Sequence, residues 1–345
     1  MASGANRDGS ILFLSCDLQN STQFKQSEEN DWIKTFLAFY TEFPSILSAE
    51  VAKSCAGLSG RLSLWKAIGD ELIFSVLIDS EQECSDAVDA WLAAMLAFEQ
   101  QHLLLKTPMT LKGGAFLATV PAPDRRVAIP RKVQVQDPKS QIDAEAANEK
   151  TLNDASPDDD TFAAEFAMDF VGPSIDTGFR VLKYATREYF VLTAEVAHLL
   201  FKHYSAAELN NRKAHLVGTH VLKGVWGGQP YPVFALARAL DEQTPAQTLA
   251  TLFDDSKLIT EDYPVYPSRK PHDVLDPITR YRSARGWQGG IFAPEAAHPT
   301  FRSHQAAVDM RRRLEDDFVD TSEDSLDKLN DLGEQNVVGS DLPRD

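Results

Sequence analysis

Residues 11–17 read ILFLSCD, an apolar run that ends in an aspartate, and residues 62–78 read LSLWKAIGDELIFSVLI. A short run that is apolar at nearly every position is typical of a strand buried on both faces. The second stretch divides into two β-like runs at Gly69-Asp70, a dipeptide suited to a tight hairpin because glycine accepts positive φ. These residues predict three strands, with Asp17 at the end of the first and Asp70 at the tip of the hairpin.

Helical periodicity fills the gaps between these strands. Apolar residues recur at three- and four-residue spacing from Trp32 to Leu47 and again over residues 81–101, and residues 109–120 then return as an extended segment. The resulting order, βαββαβ, is that of the ferredoxin-like arrangement, in which helices pack on an antiparallel sheet. We therefore predict an α+β fold of ferredoxin-like topology.

After these elements the pattern predicts an insertion and then more regular structure. Residues 121–163 are rich in Pro, Asp, Ala and Glu, and we interpret them as an insertion loop with at most a short helix. A strand is expected near residues 166–171, followed by helices and strands until the apolar pattern weakens. This predicts one globular domain over residues 9–240 and a C-terminal extension over residues 241–345.

The charge balance excludes one class of partner. The chain has 345 residues, with 34 Lys and Arg against 51 Asp and Glu, a net charge of −17. Residues 137–169 and 315–345 account for the whole excess of acid, and we interpret them as a solvated insertion and an acidic tail. Because binding to phosphate backbones needs a basic surface, we predict no nucleic-acid partner.

Cysteine spacing and apolar runs predict the compartment. Cys16, Cys55 and Cys84 are widely spaced and form no CxxC pair, which indicates neither a zinc site nor a disulfide framework. No apolar run approaches the roughly 20 residues that span a bilayer, and the first ten residues contain no apolar signal region. We therefore predict no membrane partner and a cytoplasmic location.

The two aspartates are the first indication of chemistry. Carboxylates bind Mg²⁺ and Mn²⁺ together with water and phosphate oxygens, and a pair of such ions can clamp the attacking and leaving oxygens of a phosphoryl transfer. For Asp17 and Asp70 the alternative is an ordinary Asx turn or helix cap.

Two further groups of residues suggest anion binding. Asn20, Ser21 and Thr22 precede the first predicted helix, whose N–H groups and dipole favour an anion such as a triphosphate; a simple N-cap is the alternative. Asp176 and Arg180 are four residues apart, on one face of a helix entered through Gly-Pro. An ordinary salt bridge within the helix is the alternative for that pair.

Together and in this order, these motifs resemble the successive motifs of the class III nucleotide cyclases. They are CDLQNST at residues 16–22, KAIGD at residues 66–70, GPSIDTGFR at residues 172–180 and LKGV at residues 222–225. The resemblance covers about residues 9–240, the size of one catalytic unit. It implies two catalytic sites shared across a head-to-tail homodimer, with a nucleoside triphosphate as substrate.

The resemblance also implies a role for individual residues. Asp17 and Asp70, with the main-chain carbonyl of Leu18, would bind two Mg²⁺ or Mn²⁺ ions. The second subunit of such cyclases supplies an Asn and an Arg, and these positions are Asp176 and Arg180 here. Arg180 matches, whereas Asp176 departs from the usual Asn that orients the ribose. Lys223 is either a phosphate contact or an ordinary surface residue.

The substitution of Asp for Asn makes the helix motif look more like the bacterial pyrimidine cyclases of anti-phage defence, the Pycsar systems. This implies conversion of UTP to 3′,5′-cyclic UMP and pyrophosphate, with the product sensed by a separate effector. A cytidylate cyclase is an alternative. Lys66 and Asp169 fall on the positions that read adenine in adenylate cyclases, so an adenylate cyclase is another. A catalytically inactive, cyclase-like nucleotide-binding module is the third.

Overall fold

A computed structural model describes most of the predicted domain and part of the extension. The described residues are 9–26, 32–104, 106–121, 123–132, 144–154, 160–209, 213–238 and 266–285. They divide into two compact units, a smaller one between Arg126 and Asp169 and a larger one that contains the rest. Most of the predicted extension, including its acidic tail, lies outside the described residues. No helix within these ranges is long and apolar enough to cross a membrane.

The larger unit is built on one sheet of eight strands. In chain order these strands are β1 (Gly9–Gln19), β2 (Ser63–Ile68), β3 (Glu71–Ile78), β4 (Thr110–Val120), β7 (Tyr189–Leu192), β8 (Ala214–Val221), β9 (Pro230–Ala237) and β10 (Ser268–Arg269). Across the sheet the order is β10-β8-β9-β7-β4-β1-β3-β2, and the pairs are antiparallel except for β4 with β7. The predicted α+β class is confirmed, and β4-β1-β3-β2 is the ferredoxin-like strand order.

Helices connect these strands. In the larger unit they are α1 (Ser21–Gln26), α2 (Trp32–Ser54), α3 (Glu81–Phe98), α6 (Pro173–Leu182), α7 (Ala194–Ala206) and α8 (Pro271–Arg285). A π-helical turn, Glu99–Leu103, continues α3. β1 is longer than the predicted strand, because its extended backbone continues past Asp17 to Gln19. α6 contains both Asp176 and Arg180, so the prediction that they share one helix is confirmed.

The smaller unit contains the predicted insertion. It contains α4 (Ala144–Asp154), α5 (Asp160–Glu165) and most of two paired strands, β5 (Arg125–Pro130) and β6 (Phe166–Val171). The side-chain amide of Asn148 accepts a hydrogen bond from the Ala128 N–H (2.9 Å) and donates one to the Arg126 carbonyl (3.0 Å). The short helix expected within residues 121–163 is present as α4, but β5 and α5 were not predicted. None of the six residues of β5 is buried, so this strand lacks the buried apolar run by which β1 was predicted.

The alternation of β1 explains its continuous apolar sequence. Leu12, Leu14 and Cys16 point into the main core with α2 and α3, whereas Ile11 and Phe13 point into a second cluster on the other face of the sheet. Both faces of the strand are buried, so no position before Asp17 is left for an exposed polar side chain. The sheet therefore carries helices on both faces in the larger unit.

α6 lies directly on the second face. A Cβ at Gly178 would come within 2.3 Å of the Phe116 ring, so only glycine allows the helix this close to β4. The start of α6 is held by the buried carboxylate of Asp124, which accepts hydrogen bonds from the N–H groups of Ser174 (2.9 Å) and Thr119 (3.2 Å). These contacts fix the helix that carries Arg180.

A buried carboxylate makes the stability of the larger unit depend on pH. Glu195 in the first turn of α7 accepts a hydrogen bond from the Tyr231 hydroxyl (3.0 Å), and burial raises the pKa of its carboxyl from 4.5 to about 7. Because the folded-state pKa is the higher one, this group stabilises the fold below pH 4.5, and that contribution is lost as the pH rises to 7. Relative to the wild type, we expect Glu195→Gln to gain up to about 3 kcal/mol in unfolding free energy between pH 5 and pH 8. Denaturant unfolding of both proteins at the two pH values measures this. If the difference in unfolding free energy between Glu195→Gln and the wild type were the same at pH 5 and pH 8, the prediction would be contradicted.

Candidate active site

The fold brings Asp17 and Asp70 to the same edge of the sheet. Asp17 is paired with Glu71 at the end of the β1–β3 ladder, and the Leu18 N–H donates a hydrogen bond to the Asp70 carbonyl (3.1 Å). N–H and C=O of one residue in an extended strand point to the same side, so the Leu18 carbonyl also faces the hairpin tip. The two carboxylate residues and this carbonyl, 52 to 53 positions apart in the chain, are therefore neighbours in space.

Asp17 is a partly buried carboxylate that forms an ion pair with Lys112. Lys112 Nζ lies 3.1 Å from Asp17 Oδ2. Burial raises the pKa of the Asp17 carboxyl above its ordinary value; Lys112 opposes this shift, and the charge of Asp70 adds to it. The lysine thus compensates only part of the cost of burying the carboxylate. Further positive charge at this position would stabilise its ionised form.

Asp70 is held in place by the elements that follow β1. The Ser21 hydroxyl donates a hydrogen bond to Asp70 Oδ2, and the Tyr40 hydroxyl of α2 donates one to the carbonyl of the adjacent Gly69. The two contacts connect the hairpin tip to α1 and α2, the helices that follow β1 in the chain. Asp70 is therefore oriented by its neighbours rather than free to turn with the hairpin.

The residues proposed for phosphate binding follow directly after Leu18. Asn20 has a left-handed backbone (φ 67°) and its amide donates to the Pro108 carbonyl at 3.4 Å. Ser21 is buried at the start of α1, and its hydroxyl donates a hydrogen bond to Asp70, whereas Thr22 is exposed. α1 has only six residues, so its dipole is short. The role of these residues in holding phosphate stays a prediction.

The oxygen atoms at this edge are of the kind that hard divalent cations prefer. Within the part of the chain that the structure describes, His, Cys, Asp and Glu side chains form no group of three or more that could hold a metal ion. The site offers the carboxylates of Asp17 and Asp70 and the Leu18 carbonyl. Such a set fits Mg²⁺ or Mn²⁺, which take remaining oxygens from water and substrate phosphates.

Arg180 lies elsewhere, beside the β8–β9 connection. Its Nη1 donates a hydrogen bond to the Asp176 carbonyl (2.7 Å) and lies 3.9 Å from Asp176 Oδ2, so the pair does make the contact expected within one helix. A Cβ at Gly224 would lie 3.9 Å from Arg180 Nη2, which places the turn that contains Lys223 next to the guanidinium. Asp176 is 70% exposed and Lys223 is exposed. The motif at residues 172–180 therefore lies beside the motif at residues 222–225.

The two groups of residues are separated within one chain. Arg180 lies by the connection between β8 and β9, whereas Asp70 is at the tip of the β2–β3 hairpin. The strand registers place the β8–β9 connection at the end of the sheet where β1 begins, whereas Asp17 and Asp70 lie at the end where β1 finishes. Among the described residues, Arg180 makes no hydrogen bond or ion pair with Asp17 or Asp70 of its own chain.

The residues proposed to read the base lie in different units. Lys66 is on β2, with its ammonium 4.6 Å from the centre of the Trp65 ring. Asp169 is on β6 in the smaller unit. Their joint role in base recognition stays a prediction.

Sequence reasoning missed Lys112 and Glu71. Lys112 lies in a segment that was correctly expected to be extended, but its position opposite Asp17 depends on the register of β1 against β4. Glu71 follows Asp70 and accepts a hydrogen bond from the Ser15 hydroxyl (2.5 Å). Its adjacency to Asp70 was a local signal that could have identified it.

Comparison with known proteins found similarity to solved structures of nucleotide cyclases. No protein-family model and no curated protein matches the chain. Similar solved structures include the adenylyl cyclase CyaB from P. aeruginosa, at 11% identity and a TM-score of 0.42 over 69% of this chain and 97% of that one. The guanylyl cyclase Cya2 matches at 13% identity and a TM-score of 0.41, over 69% and 98% of the two chains. The guanylate cyclase domain of RhGC from Catenaria anguillulae, in complex with GTP, matches at 13% identity and a TM-score of 0.39, over 67% of this chain and 98% of that one. The assignment of activity below rests on the side chains and not on this likeness.

Proposed function

We propose that the protein is a nucleotide cyclase of the class III type, which converts a nucleoside triphosphate to a 3′,5′-cyclic nucleotide and pyrophosphate. The observation that carries this proposal is the meeting of Asp17, Leu18 and Asp70 at one edge of the sheet, with Asp70 oriented by Ser21. Phosphoryl transfer needs a place where negative charge is neutralised and oxygens are aligned, and this edge provides the ligands for the cations that do so.

The residues that would hold two Mg²⁺ or Mn²⁺ ions are Asp17, Asp70 and, through its carbonyl, Leu18. Bound divalent ions would supply acidity to the ribose 3′-hydroxyl and neutralise charge on the triphosphate. In the reaction the bond from O3′ to the α-phosphorus forms and the bond from that phosphorus to the bridging oxygen breaks. Pyrophosphate leaves, and the proton of the hydroxyl passes to water.

Arg180 of the partner subunit completes the site in this proposal. Its guanidinium stabilises negative charge that develops on the α-phosphoryl oxygens, an interaction stronger in the transition state than in the ground state. Arg180 lies beside the β8–β9 connection, at the opposite end of the sheet from the two aspartates, and this supports a site shared by two copies in a homodimer. The main-chain N–H groups of Asn20, Ser21 and Thr22 hold phosphate oxygens.

The substrate favoured by this proposal is UTP. Asp176, in place of the usual Asn, is exposed at the start of α6 and can accept a hydrogen bond from a ribose hydroxyl. Lys66 contacts the base in this proposal. The product, cyclic UMP, acts in the cytoplasm as a second messenger of antiviral defence and is read by a separate effector protein.

Incubation of the purified protein with ATP, GTP, CTP and UTP, each with Mn²⁺, tests this function. We expect mass spectrometry to identify cyclic UMP, because the helix motif follows the pyrimidine type. Cyclic CMP alone would identify a cytidylate cyclase. Cyclic AMP alone would contradict pyrimidine specificity and show that Lys66 and Asp169 select adenine. Absence of a cyclic product from all four would contradict catalysis and favour a module that only binds nucleotides.

A further inference from the structure

The proposed mechanism gives no role to the lysine that faces Asp17 at the metal-binding edge. That residue is Lys112, whose ammonium lies against Asp17. We propose that Lys112 is a built-in competitor of the divalent cation: its ammonium neutralises Asp17 in the metal-free protein and must move aside when an ion binds. Lys112 thereby sets the concentration of Mg²⁺ or Mn²⁺ that the site requires. This inference rests on the proposed function, since it takes Asp17 as a metal ligand.

The backbone places the lysine opposite the aspartate. Asp17 and Lys112 are directly paired in the antiparallel register of β1 and β4, so their side chains point to the same face of the sheet. Lys112 Nζ lies 3.1 Å from Asp17 Oδ2, within the range of a charge-assisted hydrogen bond. The ammonium therefore uses the same carboxylate oxygens that a metal ion would need.

A buried ion pair fixes the start of β4. Glu99 Oε1 accepts a hydrogen bond from the Leu111 N–H (2.7 Å), and Arg238 Nη1 donates one to the Leu111 carbonyl. Arg238 Nη2 and Glu99 Oε2 are 2.6 Å apart, and both side chains are nearly inaccessible. The N–H and the carbonyl of Leu111, the residue before Lys112, are therefore both hydrogen-bonded to this ion pair. The position of the lysine is constrained while its flexible stem leaves the ammonium able to move.

The charges around Lys112 favour exchange with a divalent ion. Lys112 acts on the carboxylates of both Asp17 and Glu71, and Asp70 adds a third negative charge nearby. The positive charge of Lys25 also acts on Asp17 and lowers the pKa of its carboxyl. One ammonium held by a carboxylate gives a single positive charge, whereas Mg²⁺ or Mn²⁺ gives two. A divalent ion on Asp17 would repel the ammonium, so binding of the ion has to displace it.

The decisive measurement is Mn²⁺ affinity of the full chain without nucleotide, by isothermal titration calorimetry. Lys112→Met keeps the length of the apolar stem and removes the charge. We expect it to bind Mn²⁺ about tenfold more tightly than the wild type, because the competing cation is gone. Lys112→Arg, which keeps the positive charge, is the matched control and should bind within about twofold of the wild type. Circular dichroism checks that both variants fold, and Lys112→Gln provides a second neutral variant if the Met variant does not.

The outcomes separate this inference from the proposed function. Equal or weaker Mn²⁺ binding by the neutral variants, with binding lost in Asp17→Asn, would overturn the role of Lys112 and leave the metal site standing. Binding by neither the wild type nor the neutral variants, or binding that is unchanged in Asp17→Asn, would overturn both. Tighter binding by Lys112→Met and Lys112→Gln but not by Lys112→Arg would support both.

Discussion

Replacement of Asp70 by asparagine is expected to lower turnover about a thousandfold or more, as is replacement of Asp17, because each change removes a negative charge that holds the cations. Asparagine keeps the shape of the side chain, and its carbonyl oxygen can still accept the hydrogen bond from Ser21 at position 70. The fold should therefore remain intact. Initial rates of cyclic-nucleotide formation measure turnover, and circular dichroism shows whether the variants fold.

A matched control is available on α8. Asp273 is an exposed aspartate in the first turn of that helix, and Asp273→Asn should leave turnover within about twofold of the wild type, since exposed charges at helix starts contribute little. Full activity in either Asp17→Asn or Asp70→Asn would contradict the assignment of that residue as a metal ligand. Loss of activity accompanied by unfolding would instead show that the carboxylate is structural.

Mixing Asp17→Asn protein with Arg180→Ala protein is expected to restore activity that neither variant has alone. In a mixed dimer one site contains both lesions and the other contains none. Half of the dimers are mixed after random exchange and each has one intact site, so recovery should reach about a quarter of the wild-type activity. The physical reason is that Arg180 lies beside the β8–β9 connection, at the opposite end of the sheet from the aspartate pair. Activity assays on the mixture, with differently tagged subunits to count mixed dimers, provide the measurement.

The matched control for this experiment uses two lesions on the same half of the site. A mixture of Asp17→Asn and Asp70→Asn leaves every site of a mixed dimer with one damaged aspartate, so it should stay inactive. Recovery in that control would mean that restored activity does not report shared sites. Mixed dimers of Asp17→Asn and Arg180→Ala that form but remain inactive would contradict a site built from two chains.

The strands around the aspartate pair could be predicted because their signals are local. The apolar run of β1 reflects burial on both of its faces, and the Gly69-Asp70 turn shows where β2 and β3 meet. The order of elements then constrained the sheet, since a βαββαβ chain has few ways to bury its apolar faces. The placement of Asp17 and Asp70 at the ends of adjacent strands followed from the same local signals.

Two regions escaped prediction for a related reason. β5 has no buried residue, and it was taken as part of a loop because its pairing partner, β6, is more than 30 residues away. In the extension, β10 adds an edge strand to β8, and α8 buries Val274 and Ile278. Two paired residues and two buried side chains are too short a pattern to detect without the surface they cover. The predicted boundary at residue 240 therefore falls between strands of the same sheet.

The α+β class, the strands that lead to Asp17 and Asp70, and the spacing of Asp176 and Arg180 on one helix could all be predicted, because each depends on residues close together in the chain. That Lys112 faces Asp17 and that Arg180 lies beside Gly224 could be learned from the folded chain alone. These relations depend on strand register and sheet order. Register and order are chosen by the packing of side chains distant in sequence, and a shift of one residue would turn Lys112 to the other face.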